Sequence, residues 1–309
     1  MNQTTAADTP AFAHVTAAIA TPFRPADLSV DLELLERHAR WLLSNGCDGL
    51  VLFGTTGESA SLSLAERRAV LEHVLKSGIE PHQVLVGTSA CAMTEVVELT
   101  RRCAQLGCAG ALIMPPFFFK GITVDGTLSF YAEVFARCGA ELPPIYLYHI
   151  PQASGVAVGP ELVGRLIERF GTTIRGYKDS SGDWTNTEQI RARFPKLETF
   201  VGSEALLLAN LNAGGAGCIS ASVNVQPLAT RELYDHWRSS QADSLQESVS
   251  RLRKTLERAG PLIASTKAAI AALHHEPAWA NPRPPLIALS PSEQRALESQ
   301  LRELRLAGL

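Results

Sequence analysis

Lys178 lies in the run Ile174-Arg175-Gly176-Tyr177-Lys178-Asp179-Ser180-Ser181-Gly182, and of the chain's six lysines it alone falls in a stretch that reads as a short strand. A solvated lysine titrates near ~10.4, so at neutral pH only about one in ~2,500 is an amine. A dry pocket disfavours the ammonium, and the neutral amine attacks carbonyl carbon and forms Schiff bases. The plainer alternative is a lysine at a strand end whose methylene stem carries its head to water. Gly54-Thr55-Thr56-Gly57-Glu58 combines exposed backbone N–H groups with two hydroxyls, a set able to hold a carboxylate. The same five residues also suit an ordinary turn with Glu58 as its anchor. Tyr148, in Tyr146-Leu147-Tyr148-His149-Ile150-Pro151, could pass a proton to or from a substrate oxygen, or simply pack with its hydroxyl satisfied. His149 alternates to the opposite face and reads as a packing residue.

The elements that would position these residues are legible as a rhythm. Eight β-rich runs recur over residues 14–21, 48–54, 83–89, 110–115, 144–150, 174–179, 198–202 and 216–222. Helical patterns separate them: Leu32, Leu35, Ala39 and Leu42 share a face, Ser63-Leu64-Ala65-Glu66 is a capping box, and Pro160 suits a first helical turn. Such alternation argues for parallel strands with crossover helices. Gly49-Leu50-Val51-Leu52-Phe53 and Ala111-Leu112-Ile113-Met114 are apolar on both faces, as strands covered on both sides should be. The count and length predict an α/β fold, a closed (β/α)8 TIM barrel. An open doubly wound sheet is the alternative, weakened by the lack of G-x-G-x-x-G after an early strand.

In such a barrel the reacting groups stand at the C-terminal ends of strands. Those ends are Gly54-Thr55-Thr56-Gly57-Glu58, Tyr148-His149-Ile150-Pro151, Lys178, Val201-Gly202-Ser203-Glu204 and Ile219-Ser220-Ala221-Ser222. Barrel order makes the fifth and sixth strands neighbours and sets Tyr148 beside Lys178. Alternation puts Ile174, Gly176 and Lys178 on one face, where Gly176 would leave room beside the lysine stem.

After about residue 225 the β signal stops. Leu245, Val249, Leu252 and Leu256 mark an amphipathic helix, a second runs over about 261–274, a proline-rich loop covers 277–289, and a last helix starts at Ser290-Pro291-Ser292-Glu293. The expected organisation is a flexible N-terminal tail over 1–12, the barrel over 13–230 and a C-terminal helical extension over 231–309. With 46% hydrophobic and 19% charged residues, the chain suits a soluble protein with a large core. A net charge of −3 with no basic run argues against nucleic acid as a partner. No apolar run approaches the ~20 residues that span a bilayer, and the polar N-terminus lacks the features of a signal peptide. Cys47, Cys91, Cys103, Cys108, Cys138 and Cys218 form no C-x-x-C pair and read as reduced core residues of a cytoplasmic protein. The histidines form no H-x-H or H-E-x-x-H pair, so no metal site is expected.

Together, Gly54-Thr55-Thr56-Gly57-Glu58, Tyr148-His149-Ile150-Pro151 and Gly176-Tyr177-Lys178-Asp179-Ser180-Ser181-Gly182 resemble the dihydrodipicolinate synthase/N-acetylneuraminate lyase superfamily. The likeness extends to Thr21-Pro22-Phe23, Gly202-Ser203-Glu204 and Arg283-Pro284-Pro285-Leu286. It implies a barrel with a helical extension, assembled as a homo-tetramer or dimer. It also implies Schiff-base chemistry on a 2-oxo acid, commonly pyruvate, without metal or organic cofactor. By this resemblance Lys178 is the Schiff-base lysine, Tyr148 the tyrosine over it, and Thr55 and Thr56 the carboxylate-binding pair. Ser180, Gly202 and Glu204, joined by Ile219, would touch the distal part of longer substrates.

Two positions depart from the family pattern. Where many members carry a tyrosine pair after the fourth strand, this chain has Pro115-Pro116-Phe117-Phe118-Phe119. Phe118, the match to a tyrosine that enters a neighbouring subunit's site, cannot carry a proton. Where the synthase branch places an arginine, this chain has Ala153, without the fork that would clamp a second carboxylate. Both argue against a typical dihydrodipicolinate synthase. The expected activity is a class I, pyruvate-type aldolase that cleaves or forms the bond between pyruvate and an aldehyde, on a 2-oxo acid such as a 2-keto-3-deoxy sugar acid. A dehydratase of such an acid, synthase-like condensation and a catalytically silent 2-oxo-acid-binding barrel are the alternatives.

Overall fold

The computed structural model describes residue 12 and residues 14–304. Strands β1 (Val15–Ala18), β2 (Gly49–Leu52), β3 (Val84–Gly87), β4 (Gly110–Ile113), β5 (Ile145–His149), β6 (Ile174–Asp179), β7 (Glu198–Val201) and β8 (Gly217–Ser220) close into a parallel barrel in chain order. Each falls inside the run read from the sequence, and the open sheet is ruled out. The helices are α1 (Leu32–Ser44), α2 (Leu64–Lys76), α3 (Met93–Gln105), α4 (Val124–Cys138), α5 (Pro151–Ser154), α6 (Pro160–Phe170), α7 (Trp184–Arg193), α8 (Leu207–Asn212), α9 (Pro227–Asp235), α10 (Ala242–Ala259), α11 (Leu262–His274) and α12 (Pro291–Glu303). Among the described residues no helix is long and apolar enough to cross a membrane.

The start signals act as their chemistry requires. Ser63 and Ser290 each accept from the backbone N–H three residues on, while Glu66 and Glu293 reach back to the cap, satisfying two orphan donors per helix. Pro160 opens α6 behind Gly159. On α1 the buried stripe is Leu34, Leu35, His38, Ala39 and Leu42, so a histidine occupies a core position.

The chain divides into two compact units. One is Glu80–Gly202 with Ala209–Gly217, to which Phe12 belongs. Here β3 to β7 pair consecutively in parallel, and Tyr148 stands opposite Lys178 in the β5–β6 register. The tail expected over 1–12 lies outside the described residues apart from Phe12, whose ring meets Tyr146 and Phe200 edge-on. The other unit is His14–Ile79, Ser203–Leu208 and the chain from Cys218 on. In it β1 pairs with both β2 and β8, and α10, α11 and α12 bury Leu252, Leu256, Ile270, Leu297 and Leu301 with Leu34 and Trp279.

Within that second unit, Asn224 fixes the protonation of a buried histidine pair. Asn224 Nδ2 donates to Ala18 O (2.8 Å) and Ala221 O (2.7 Å). Its Oδ1 is thereby left to accept from Ala20 N (3.2 Å) and His38 Nε2 (3.1 Å). His38 must carry its proton on Nε2, and its Nδ1 accepts from His274 Nε2 at 2.9 Å. Burial, with His274 adding to it, holds His38 down to about 3. Unfolded, the same histidine binds a proton near ~6.5, so between those values the unfolded chain holds more protons and stability falls as pH falls. The unfolding midpoint should therefore drop steadily from pH 6.5 towards 3. A His38→Gln variant, followed by thermal melts across that range, should show a shallower slope than the parent.

Candidate active site

Lys178 closes the inward row of β6. It is 3% exposed, its Nζ lies 4.3 Å from the centroid of the Tyr148 ring, and among the described residues no carboxylate pairs with it. The two residues are brought together by register, as barrel order predicts: Tyr148 and Lys178 are Cα partners on adjacent strands. The alternate face is visible in their neighbours. Tyr177 donates its hydroxyl hydrogen to Val158 O (2.9 Å), and Val158 N in turn donates to His149 Nδ1 (3.0 Å). His149 therefore packs with Nδ1 unprotonated, and burial lowers its pKa, in line with the packing role expected of it.

Asp179 anchors the end of β6. Its Oδ1 accepts from Ser181 N (2.8 Å) and Ser181 Oγ (2.6 Å), and its Oδ2 from Asn186 Nδ2 (2.7 Å) and Thr187 Oγ1 (2.8 Å). Four donors, two of them from the first turn of α7, hold a buried carboxylate without a cation. The lysine beside it in sequence is thus fixed in backbone position while its side chain points the other way. Gly176 does not serve as expected. A Cβ there would overlap the Tyr146 ring, so the space goes to a tyrosine two residues below Tyr148 and not to the lysine stem. Tyr146 is pinned in turn by donating to Glu198 Oε2 (2.9 Å).

Around this pair, Ser180 N donates to His149 O (2.8 Å) and Gly202 N to Asp179 O (2.6 Å). A side chain at Gly202 would overlap Ser180, so these two expected contact positions are juxtaposed and Gly202 has to stay bare. Gln152 Nε2 donates to Ser180 O (2.6 Å). Ala153 sits on α5, with no guanidinium. Lys120 Nζ is held by Phe117 O (2.5 Å) and Ser154 O (3.0 Å). Phe118 and Phe119 are 73% and 66% exposed.

In the second unit, the turn after β2 carries Thr55 and Thr56. It is conformationally demanding: Phe53 and Glu58 both take positive φ (60° and 53°), a region uncommon for side chains with a Cβ. Gly57 is pressed against β1, where a Cβ would lie 2.9 Å from Ile19 O, and Gly57 O accepts from Thr21 Oγ1 at 2.8 Å. Glu58 is the anchor. Its Oε1 pairs with Lys267 Nζ at 2.6 Å, both side chains fully buried, and its Oε2 accepts from Arg283 N at 2.9 Å. Lys267 also donates to Thr21 O (2.8 Å) and Asn281 O (2.6 Å). Burial brings Lys267 down to about 8 against the pull of Glu58, so it remains an ammonium at neutral pH, with three acceptors for its three hydrogens.

Arg283 completes the clamp: Nε and Nη2 donate to Leu28 O (2.9 and 2.7 Å), Nη1 to Ser61 O (2.7 Å), and the guanidinium pairs with Glu66. Sequence reading missed Lys267. The available signal was a single lysine in an otherwise uncharged, Ala-rich α11.

Two further expectations need correction. Glu204 is not available to distal hydroxyls: it is 0% exposed, Ser220 Oγ donates to its Oε2 at 2.5 Å, and Gln226 Nε2 reaches its Oε1 at 3.4 Å. Its length lets it turn inward to a pair of neutral donors, so it orients Ser220. The cysteines are all free, but Cys91 is exposed and not a core residue. Ile219 is fully buried in β8 and presents only hydrocarbon. Among the described residues no three His, Cys, Asp or Glu side chains are grouped to hold a metal.

The tightness of the Thr55–Thr56 turn is testable through its two glycines. At Gly54 the nearest atom to an added Cβ is 3.7 Å away, whereas at Gly57 it is a backbone oxygen at 2.9 Å. Gly57→Ala should cost about 1–3 kcal/mol in urea unfolding, and Gly54→Ala much less.

A family model described as the dihydrodipicolinate synthetase family matches residues 11–304. An uncharacterized DapA-like lyase of Chloroflexus aurantiacus is 34% identical over 287 residues, covering 92% of this chain and 94% of the relative. Dihydrodipicolinate synthase from Agrobacterium tumefaciens superposes with a TM-score of 0.86 at 32% identity, covering 94% of this chain and 98% of that one. A 2-keto-3-deoxygluconate aldolase variant from Sulfolobus solfataricus shares the fold at a TM-score of 0.84 and 21% identity, over 94% and 96% of the two chains. With nearly its whole length matched, the chain belongs to the dihydrodipicolinate synthetase family.

Proposed function

We propose that this protein is a Schiff-base-forming lyase that cleaves or forms the bond between pyruvate and an aldehyde in a 2-oxo acid with a hydroxylated tail, of the 2-keto-3-deoxy sugar acid type. The observation that carries this reading is the buried Lys178 amine lying 4.3 Å over the Tyr148 ring at matched strand ends, with no counter-ion among the described residues. Lys267, by contrast, is buried with a carboxylate partner, Glu58. Membership of a family that includes lyases supports the same class, and the fold shared with a 2-keto-3-deoxygluconate aldolase is compatible with it.

In the proposed reaction the neutral Lys178 Nζ attacks C2 of the 2-oxo acid, and loss of water gives a protonated imine. Thr55 and Thr56 hold the C1 carboxylate through hydroxyl and backbone donors. Tyr148, left as a phenolate once its proton has gone to the water lost in imine formation, accepts the proton of the C4 hydroxyl as the C3–C4 bond breaks. The bonding electrons pass into the imine, leaving an aldehyde and an enamine. Protonation of the enamine at C3 and hydrolysis then release pyruvate and return the free amine. Ser180 and Gly202 border the tail, and Ile219 supplies an apolar wall. Ala153 leaves the α5 turn without the guanidinium a second carboxylate would need, which disfavours synthase-like condensation. Phe118 and Phe119, exposed on the single chain, support assembly with further copies, a tetramer or dimer, and the free cysteines fit a cytoplasmic setting.

Incubation with pyruvate and borohydride should add one reduced pyruvyl group, mapped by mass to Lys178 and absent in Lys178→Arg. A protein that stays unlabelled would be a silent barrel. Pyruvate release from a panel of 2-keto-3-deoxy acids should exceed water loss without C–C cleavage; the reverse ratio would make it a dehydratase. Tyr148→Phe should lower retro-aldol turnover by about 10²–10⁴ while leaving imine trapping in place.

A further inference from the structure

A second lysine has no part in the proposed chemistry, yet it is more deeply buried than the first. Lys267 is 0% exposed and sits on α11, 209 residues after its partner Glu58. Its three hydrogens go to Glu58 Oε1, Thr21 O and Asn281 O, and its head lies 4.4 Å from the centroid of the Phe23 ring. Each of these contacts converges on the turn carrying Thr55 and Thr56. Thr21 holds Gly57 O through its hydroxyl, Asn281 leads into Arg283, and Arg283 N takes the second oxygen of Glu58. The guanidinium of Arg283, 4.5 Å from the centroid of the same ring, ties Leu28 O and Ser61 O.

The turn's own bonds are short-range, Glu58 N to Thr55 O (3.0 Å), Ser59 N to Gly54 O (3.3 Å) and Ser61 N to Glu58 O (2.8 Å), and two of its non-glycine residues sit at positive φ. Such backbone states persist only where the surroundings over-determine them. The surroundings here include the Glu58 carboxylate, whose two oxygens are engaged by α11 and the segment after it, together with Thr21 on Gly57 O.

We propose that Lys267 is a positioning residue: its pairing with Glu58 locks the Thr55–Thr56 turn in the one conformation that presents its donors to the C1 carboxylate of the substrate. The proposal rests on the lyase reading above for the identity of that carboxylate, but the lock itself does not depend on it. The pair acts on binding of the 2-oxo acid and leaves the amine of Lys178 and the bond-breaking step untouched. Removing it shifts the hydroxyls of Thr55 and Thr56 without deleting them.

The test uses the full chain and two variants. Lys267→Met alone leaves Glu58 as a lone buried anion and is prone to misfold. The double variant Lys267→Met/Glu58→Leu removes both charges at once, an exchange that folds readily elsewhere. Two quantities are read on each folded protein. One is amide hydrogen exchange over residues 53–61. The other is the pyruvate concentration giving half-maximal borohydride trapping at Lys178, together with the plateau trapping rate.

The expected result for the double variant is exchange over 53–61 faster by at least about tenfold while β5 and β6 stay protected. Half-saturation should rise about ten- to a hundredfold with the plateau rate changed less than about threefold. A purely structural pair would alter melting and leave half-saturation and local exchange where they were; that outcome overturns the proposal. If the parent protein takes no pyruvate at all, the lyase reading fails, and exchange over 53–61 alone still decides for or against the lock.

Discussion

The ion pair between Lys267 and Glu58 is the contact on which the second unit turns. A buried carboxylate and ammonium are each costly to desolvate, and truncating one of them leaves the other stranded at about 3–5 kcal/mol. The pair is tolerable because both carboxylate oxygens and all three ammonium hydrogens are engaged: Arg283 N on one side, Thr21 O and Asn281 O on the other. The consequence is directional. The turn after β2 is tied to one helix residue and a loop that come much later in the chain. Its strained φ values at Phe53 and Glu58 are the local sign of that outside control.

The first unit solves a different problem. It presents a lysine that is buried and unpaired among the described residues, which requires a rigid frame and no stray anion. Asp179, adjacent in sequence, is the obvious hazard. Four neutral donors satisfy its carboxylate on the far face of β6, so its charge is fixed and turned away. Tyr146 fills the space over Gly176 and the Tyr148 ring lies against Lys178 Nζ. Two tyrosines of one strand thus line the row that ends in Lys178. The two lysines are both buried and differ in partners: Lys267 gives its three hydrogens to three oxygens, whereas Lys178 meets the face of an aromatic ring.

How much of this was legible in sequence follows from the range of the forces involved. Strands, caps and the Tyr148–Lys178 apposition depend on periodicity, on local donors three residues apart, and on neighbouring strands in chain order, all of which a sequence displays. The capping boxes at Ser63 and Ser290 and the whole of β6 were readable for that reason. Lys267, Glu204 and Gly176 were misjudged or missed because their partners lie far off in sequence or on another strand. Nothing near residue 267 announces an acid at 58, and nothing near Glu204 says that Ser220 will draw it inward. Gly176 was assigned to the right face and the wrong neighbour, since face follows from alternation while the neighbour follows from the β5–β6 register and a bulge between Ile145 and Tyr146.

The distance of Lys267 and Arg283 from Glu58 along the chain, 209 and 225 residues, also imposes an order of events during synthesis. At roughly 5–20 residues per second, the ribosome delivers Lys267 about 10–40 seconds after Glu58. Over that interval β3 to β8 are made and the set of strands is completed, yet the turn after β2 holds an acid without its partner. The nascent barrel therefore waits in an incomplete state whose weak point is the turn after β2 and not its sheet. Chaperone capture or proteolysis of unfinished chains should concentrate there, and translation pauses placed before residue 267 would prolong that exposure whereas pauses after residue 283 would not.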